Sequence, residues 1–291
     1  MIDNEVLQNI LNYGPVFLLI AARALAMIEV APLLSSDAVA QPVKLVLAGM
    51  VAFACMPTAE IFAANAAGAG AVTPPGTNML SDMRYEPFSL RFILLLLGEA
   101  VIGLIIGFYL TIIFAAFSTA GQFFSLQMGF GASETFDPLS QIENPLLGQY
   151  FNLVAMLVFL TIGGLRDLFL GGFWRSVQSL NVASLIAGYE PLVKTLLAGL
   201  TRLFLDAIVI SLPIVGTLFL TTLATGLISK AMPQVNILSE GFPISISVSF
   251  LLIFITLPSM TEAFARIINA GFSGIETLYA GIGRQIEGGG P

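Results

Sequence analysis

A chain of 291 residues that is 57% hydrophobic and only 10% charged, with a mean hydropathy of +0.93, is far more apolar than a soluble domain, in which about 25% of residues are charged. Its net charge of −7 leaves no basic patch to displace counterions, which excludes nucleic acid as a partner. With no histidine and one cysteine, His-based triads, HExxH zinc sites, CxxC clusters and internal disulfides are excluded; no catalytic residue, metal or cofactor is expected.

The opening stretch MIDNEVLQNILNYGP holds two acids and no base. It lacks the positive n-region of a cleavable signal peptide, so the first apolar segment is expected to be retained. Apolar stretches then follow at 16–34, 43–63, 92–117, 146–163, 195–228 and 243–268. A span needs about 20 mostly apolar residues, which makes all six candidates and 146–163 the shortest. The fifth is too long for one upright span and contains Pro213, so it either kinks there or extends beyond the hydrocarbon layer. Only PISISVSF alternates with period two. A lone strand cannot satisfy its backbone in lipid, so helix is predicted there too, with Ser245 and Ser249 on one face suited to close helix contact. The fold class is an all-α membrane protein.

Charges inside these stretches are costly in lipid and face protein or water. Arg23 and Glu29 lie six residues apart in the first segment, on different faces, and are expected to contact other subunits. Glu99 lies in the third. Arg202 with Asp206, and Glu262 with Arg266, are spaced i,i+4 and are expected to neutralise each other locally. Gly103 and Gly107 stand at the spacing that lets helices approach closely; their partner is not specified by sequence. Cys55 is expected to be a small buried hydrophobe. Ser229 and Lys230 are adjacent and on a helix cannot face each other as a dyad. Trp174 beside Arg175 fits an interfacial anchor. For six spans, Arg84, Arg91, Arg166, Arg175, Lys194, Arg266 and Arg284 fall on one side, and only Lys44 and Lys230 on the other; the positive-inside rule puts the first set in the cytoplasm.

Between the third and fourth segments, SLQMGFGASETFDPLSQIENP holds three acids, two prolines and no base. Gly129, Gly131 and Ala132 permit close backbone approach. Asp137-Pro138 and Asn144-Pro145 interrupt helix. Met128, Phe130, Phe136 and Ile142 supply apolar bulk. Non-helical backbone at membrane depth is tolerated only in protein or along an aqueous cavity. From the residues alone, 129–145 is either a solvated hairpin loop or an apolar constriction that gates by dewetting.

Four blocks carry a family resemblance. RALAMIEVAPLLSSDAVAQPVKLVLAGMVAFACMP (23–57), GEAVIGLIIGF (98–108), TAGQFFSLQMGFGASETFDPLSQIENPLLGQYFNL (119–153) and ISKAMPQVNILSEGFPISI (228–246) resemble the export-gate R-subunit family of flagellar and injectisome type III secretion. The third block leans flagellar. IGGLRD at 162–167 and Ser239-Glu240 before Gly-Phe-Pro depart from the family pattern. The resemblance implies kinked helical hairpins, with a P-subunit-like part over 1–185 fused to a Q-subunit-like hairpin and tail over 186–291. It implies one copy closing a helical channel of P-type and Q-type subunits in the bacterial inner membrane at the flagellar basal body, partly on the periplasmic side. A B-type switch subunit would contact Lys230, the turn prolines Pro233 and Pro243, Gln234 and Asn236. An A-type export subunit is a further partner. The plug of the closed channel would be Met128, Gly129, Phe130, Gly131, Phe136, Asp137, Pro138 and Ile142, and unfolded proteins the cargo. By this resemblance the 229–242 turn is cytoplasmic, against the charge tally, because the family packs its helices on partners rather than only in lipid. The competing reading is a self-contained secondary transporter using Arg23, Glu29 or the Arg202–Asp206 pair; it requires internal repeats, which the two halves do not display.

Overall fold

A computed structural model describes residues 4–36, 39–68, 90–128, 146–180, 189–231 and 237–288. The helices are α1 (Asn4–Val30), α2 (Gln41–Gly68), α3 (Leu90–Met128), α4 (Leu146–Thr161), α5 (Gly164–Asp167), a π-helix (Leu168–Trp174), α6 (Arg175–Ser179), α7 (Tyr189–Ala231) and α8 (Ile237–Gly288). No strand occurs among the described residues, and PISISVSF lies inside α8. The all-α class stands.

Among the described residues, three helices are long and apolar enough to cross a membrane: Phe92–Met128, Leu192–Ala231 and Pro243–Thr277. A fourth arises if Leu146–Thr161 and Gly164–Gln178 count as one broken span. The break falls at Gly163, whose φ of 78° is a backbone conformation glycine adopts without penalty. The second stretch lies within α2, a helix of 28 residues.

Pro213 does not end the fifth segment. α7 runs through it for 43 residues, about 65 Å at ~1.5 Å per residue and roughly twice the hydrocarbon core. The missing proline N–H costs one ladder bond, yet the helix continues without ending there. Pro243 corrects the sequence reading, because it lies within α8, not in a turn. An apolar helix in lipid tolerates such a proline where neighbouring groups satisfy the backbone.

The chain divides into two compact units: 1–111 with 165–198 and 271–291, and 112–164 with 199–270. In the first, α1 and the N-terminal half of α3 are in close contact. A Cβ on Gly103 would collide with the Arg23 carbonyl, and one on Gly107 would lie 2.8 Å from the Met27 carbonyl. Thr111 Oγ1 donates to the Val30 carbonyl at 2.9 Å. These contacts advance together along both helices, so α1 and α3 run in the same direction here. The core of the second unit is aromatic: Phe117, Phe124, Phe151, Phe159 and Phe264 are each fully buried.

Candidate functional site

The first site is a buried polar network in the first unit. Because α1 lies on Gly103, Arg23 comes alongside Glu99, one turn earlier on α3. Arg23 Nε donates to Glu99 Oε2 at 2.6 Å and Nη2 stands 2.5 Å from the same oxygen. Nη1 donates to Ser176 Oγ at 3.2 Å and Nη2 to the Leu180 carbonyl at 2.9 Å. Ser176 Oγ in turn donates to the Phe173 carbonyl at 2.6 Å. Arg23 is 3% exposed and Glu99 6%, so this is an ion pair out of water, whose attraction offsets desolvation only because the remaining donors are also satisfied. From α8, Tyr279 Oη donates to the Gly172 carbonyl at 2.6 Å. Burial pushes the Tyr279 phenol above its ordinary range, against the opposing pull of Arg23, so the hydroxyl keeps its proton and remains a donor.

Arg23, expected to contact other subunits, is instead found engaged inside the chain. Glu29 is also engaged internally, with Lys44 Nζ 3.2 Å from its Oε2 and donating to the Ser35 carbonyl at 3.3 Å. Glu29 is half-buried. The partners Lys44, Ser176 and Tyr279 were missed. One signal was present: Arg23 and Glu99 each needed an opposite charge at membrane depth, which points to pairing between segments.

The other expected charge pair lies on α7. Arg202 Nε is 3.6 Å from Asp206 Oδ2, with side chains 56% and 22% exposed. Arg202, a charge expected to be buried, is exposed in the chain: i,i+4 spacing puts it on the same face as Asp206, and its guanidinium stands out from that face. Lys230 and Pro243 are exposed; Pro233, Gln234 and Asn236 lie outside the described residues. Ser249 is buried and donates to the Ser245 carbonyl at 2.6 Å, so its hydroxyl is satisfied within its own helix.

The second site is the root of the 129–145 stretch, in the second unit. Met128 ends α3 with 1% exposure. Gly129, Phe130, Gly131, Phe136, Asp137, Pro138 and Ile142 lie outside the described residues. α3 and α4 meet closely: a Cβ on Gly121 would stand 2.6 Å from Gly148 Cα. The Phe124 and Phe151 rings are 4.9 Å apart, and the Phe114 and Phe159 rings 5.5 Å, both edge-to-face. Contacts recede from the stretch along both helices, as in an antiparallel hairpin. Phe264 of α8 reaches Phe117 at 4.5 Å. Asn152 Oδ1 is buried here with no hydrogen-bond partner among the described residues.

Among the described residues, no group of three or more His, Cys, Asp or Glu is placed to hold a metal. The fold and its internally paired charges define an all-α membrane protein built on apolar helices longer than a bilayer core. The family model described as "Bacterial export proteins, family 1" matches residues 15–271, and the chain belongs to this family. The match takes in all four blocks on which the sequence resemblance rested. The flagellar biosynthetic protein FliR of Borreliella burgdorferi is 35% identical over 202 residues, 68% of this chain and 74% of that protein. FliR of Bacillus subtilis is 28% identical over 274 residues, 94% and 96% of the two chains. FliR of Escherichia coli is 32% identical over 241 residues, 81% and 82% of the two chains.

Proposed function

We propose that this chain is the R-type subunit of a flagellar type III protein export gate. It closes a helical channel of P-type and Q-type subunits in the bacterial inner membrane, and residues 129–145 plug that channel until unfolded protein passes. The observation that carries the reading is the surface of the C-terminal helices. α7 and α8 are each at least about twice as long as a bilayer core is thick, yet only 28% and 17% of their most apolar windows are covered within the chain, against 61% for α3. Leu197, Phe204, Leu212, Phe219, Leu220 and Leu227 are each more than half exposed, an apolar surface about 45 Å long on α7 against a core of about 30 Å. Apolar surface extending beyond the bilayer needs protein to cover it, which favours one part of a larger helical assembly over a self-contained carrier.

The same reading assigns 1–185 as P-like and 186–291 as Q-like, with the B-type switch subunit on Lys230, Pro233, Gln234, Asn236 and Pro243 and an A-type subunit nearby. The plug assignment is supported by its root, because a hairpin pinned at Gly121–Gly148 gives a blocking segment a rigid base. Purification of the tagged chain from native membranes, with mass spectrometry of what accompanies it, tests the assembly. Small helical membrane subunits in several-fold excess are the expected result; a solitary monomer or homodimer would overturn the reading.

A further inference from the structure

The stretch Leu168–Trp174 is the one π-helix among the described residues. Such segments carry an extra residue in the helical ladder, are rare, and mark functional positions. Its sequence, LFLGGFW, places two glycines in the middle, where α-helical preference is weakest. Side chains from three other helices hold this stretch and the turn that follows. Tyr279 of α8 donates to the Gly172 carbonyl at 2.6 Å. Arg23 of α1 donates to Ser176 Oγ and to the Leu180 carbonyl at the end of α6. Glu99 of α3 fixes Arg23. Ser176 passes the restraint back to the π-helix through the Phe173 carbonyl. Ile102, Ile105, Ile106 and Tyr109 of α3, with Leu180, line a small apolar cleft beside it. At Gly172 a Cβ would meet Leu168 and Ile106 at ordinary contact distances, so the glycine there is not required by crowding.

We infer that residues 168–180 form a latched hinge. The π register is one of two states, held by the Tyr279 hydroxyl and the Arg23–Glu99 clamp, and release of the latch into the α register accompanies channel opening. The last clause rests on the export-gate reading; the latch does not. A shift from π to α moves every residue C-terminal to it by one position around the helix, which carries Ser176 and Leu180 away from Arg23. A discrete two-state element of this kind turns a local change into a larger one.

Tyr279→Phe removes one hydroxyl and keeps the ring, so it tests the latch without a cavity. The protein is taken in its native assembly, and amide exchange is followed across the chain while ion leak is measured in the same membranes. The inference expects exchange at 168–180 to quicken about tenfold, the scale of one lost hydrogen bond, with α4 unchanged and leak increased. Ser176→Ala should act in the same direction. Unchanged exchange, or exchange that quickens equally everywhere, would overturn the latch; local quickening with no added leak would overturn its link to channel opening. Deletion of 130–137 runs in parallel: if that variant does not leak, the plug reading fails and the exchange pattern alone decides the latch.

Discussion

The two compact units solve the same problem, holding apolar helices together, by opposite chemistry. In the first, the close approach of α1 to α3 delivers a buried arginine to a buried glutamate, and the residual donors reach a serine and a backbone carbonyl. In the second, interlocked phenylalanines and one glycine-on-glycine contact serve. The difference bears on specificity. Apolar association gains little directional information in a membrane, where lipid tails are as apolar as Leu. An ion pair out of water tolerates one partner and one geometry, and its loss strands a charge. The polar unit is thus suited to fixing which helix meets which, and the aromatic unit to giving the hairpin that carries 129–145 a stiff base.

Five variants break or sharpen this contrast, the single substitutions running from the largest effect to the smallest. Gly103→Leu puts a side chain into the Arg23 backbone, against rigid atoms that cannot yield; failure to accumulate folded protein in membranes is expected. Arg23→Ala leaves Glu99 buried and alone, a loss of about 3–5 kcal/mol on the scale of broken buried pairs, visible as a fall in thermal midpoint in detergent. The double variant Arg23→Met/Glu99→Leu should recover much of that loss, since an apolar pair of similar size can match a buried ion pair. Phe151→Ala empties the centre of the second unit, at about 3–5 kcal/mol, read in the same melt; amide exchange of this variant should quicken more in α3 near Gly121 than in α1. Arg202→Ala breaks an exposed i,i+4 pair and should cost at most about 0.5 kcal/mol, within the error of the melt. A large effect there would mean that a partner covers the pair in the assembly.

Much of the architecture was legible because it depends on composition. A chain this apolar with so few charges leaves helices as the available way to satisfy its backbone, and no strand appears among the described residues. Close packing at Gly103 and Gly107 was readable from spacing, but α1 as the partner was not. The ion pairs were the hardest to read. Arg23 and Glu29 share a segment, and sequence proximity drew attention to them together; the structure pairs each with a charge on another helix, Glu99 and Lys44. Their partners lie 76 and 15 residues away, and nothing local records that. The i,i+4 pair at Arg202 and Asp206 was legible because helix geometry alone makes it; its exposure was not. Pro243 misled for a related reason, since Gly-Phe-Pro signals a turn in water, whereas here the helix continues through it.

The central claim is that 129–145 seals an export channel. Conductance of membranes holding the assembled complex, intact and with 130–137 deleted, tests it most directly. The account predicts equal assembly in both and an ion leak in the deletion alone. Assembled deletion complexes that remain as tight as the intact ones would contradict it.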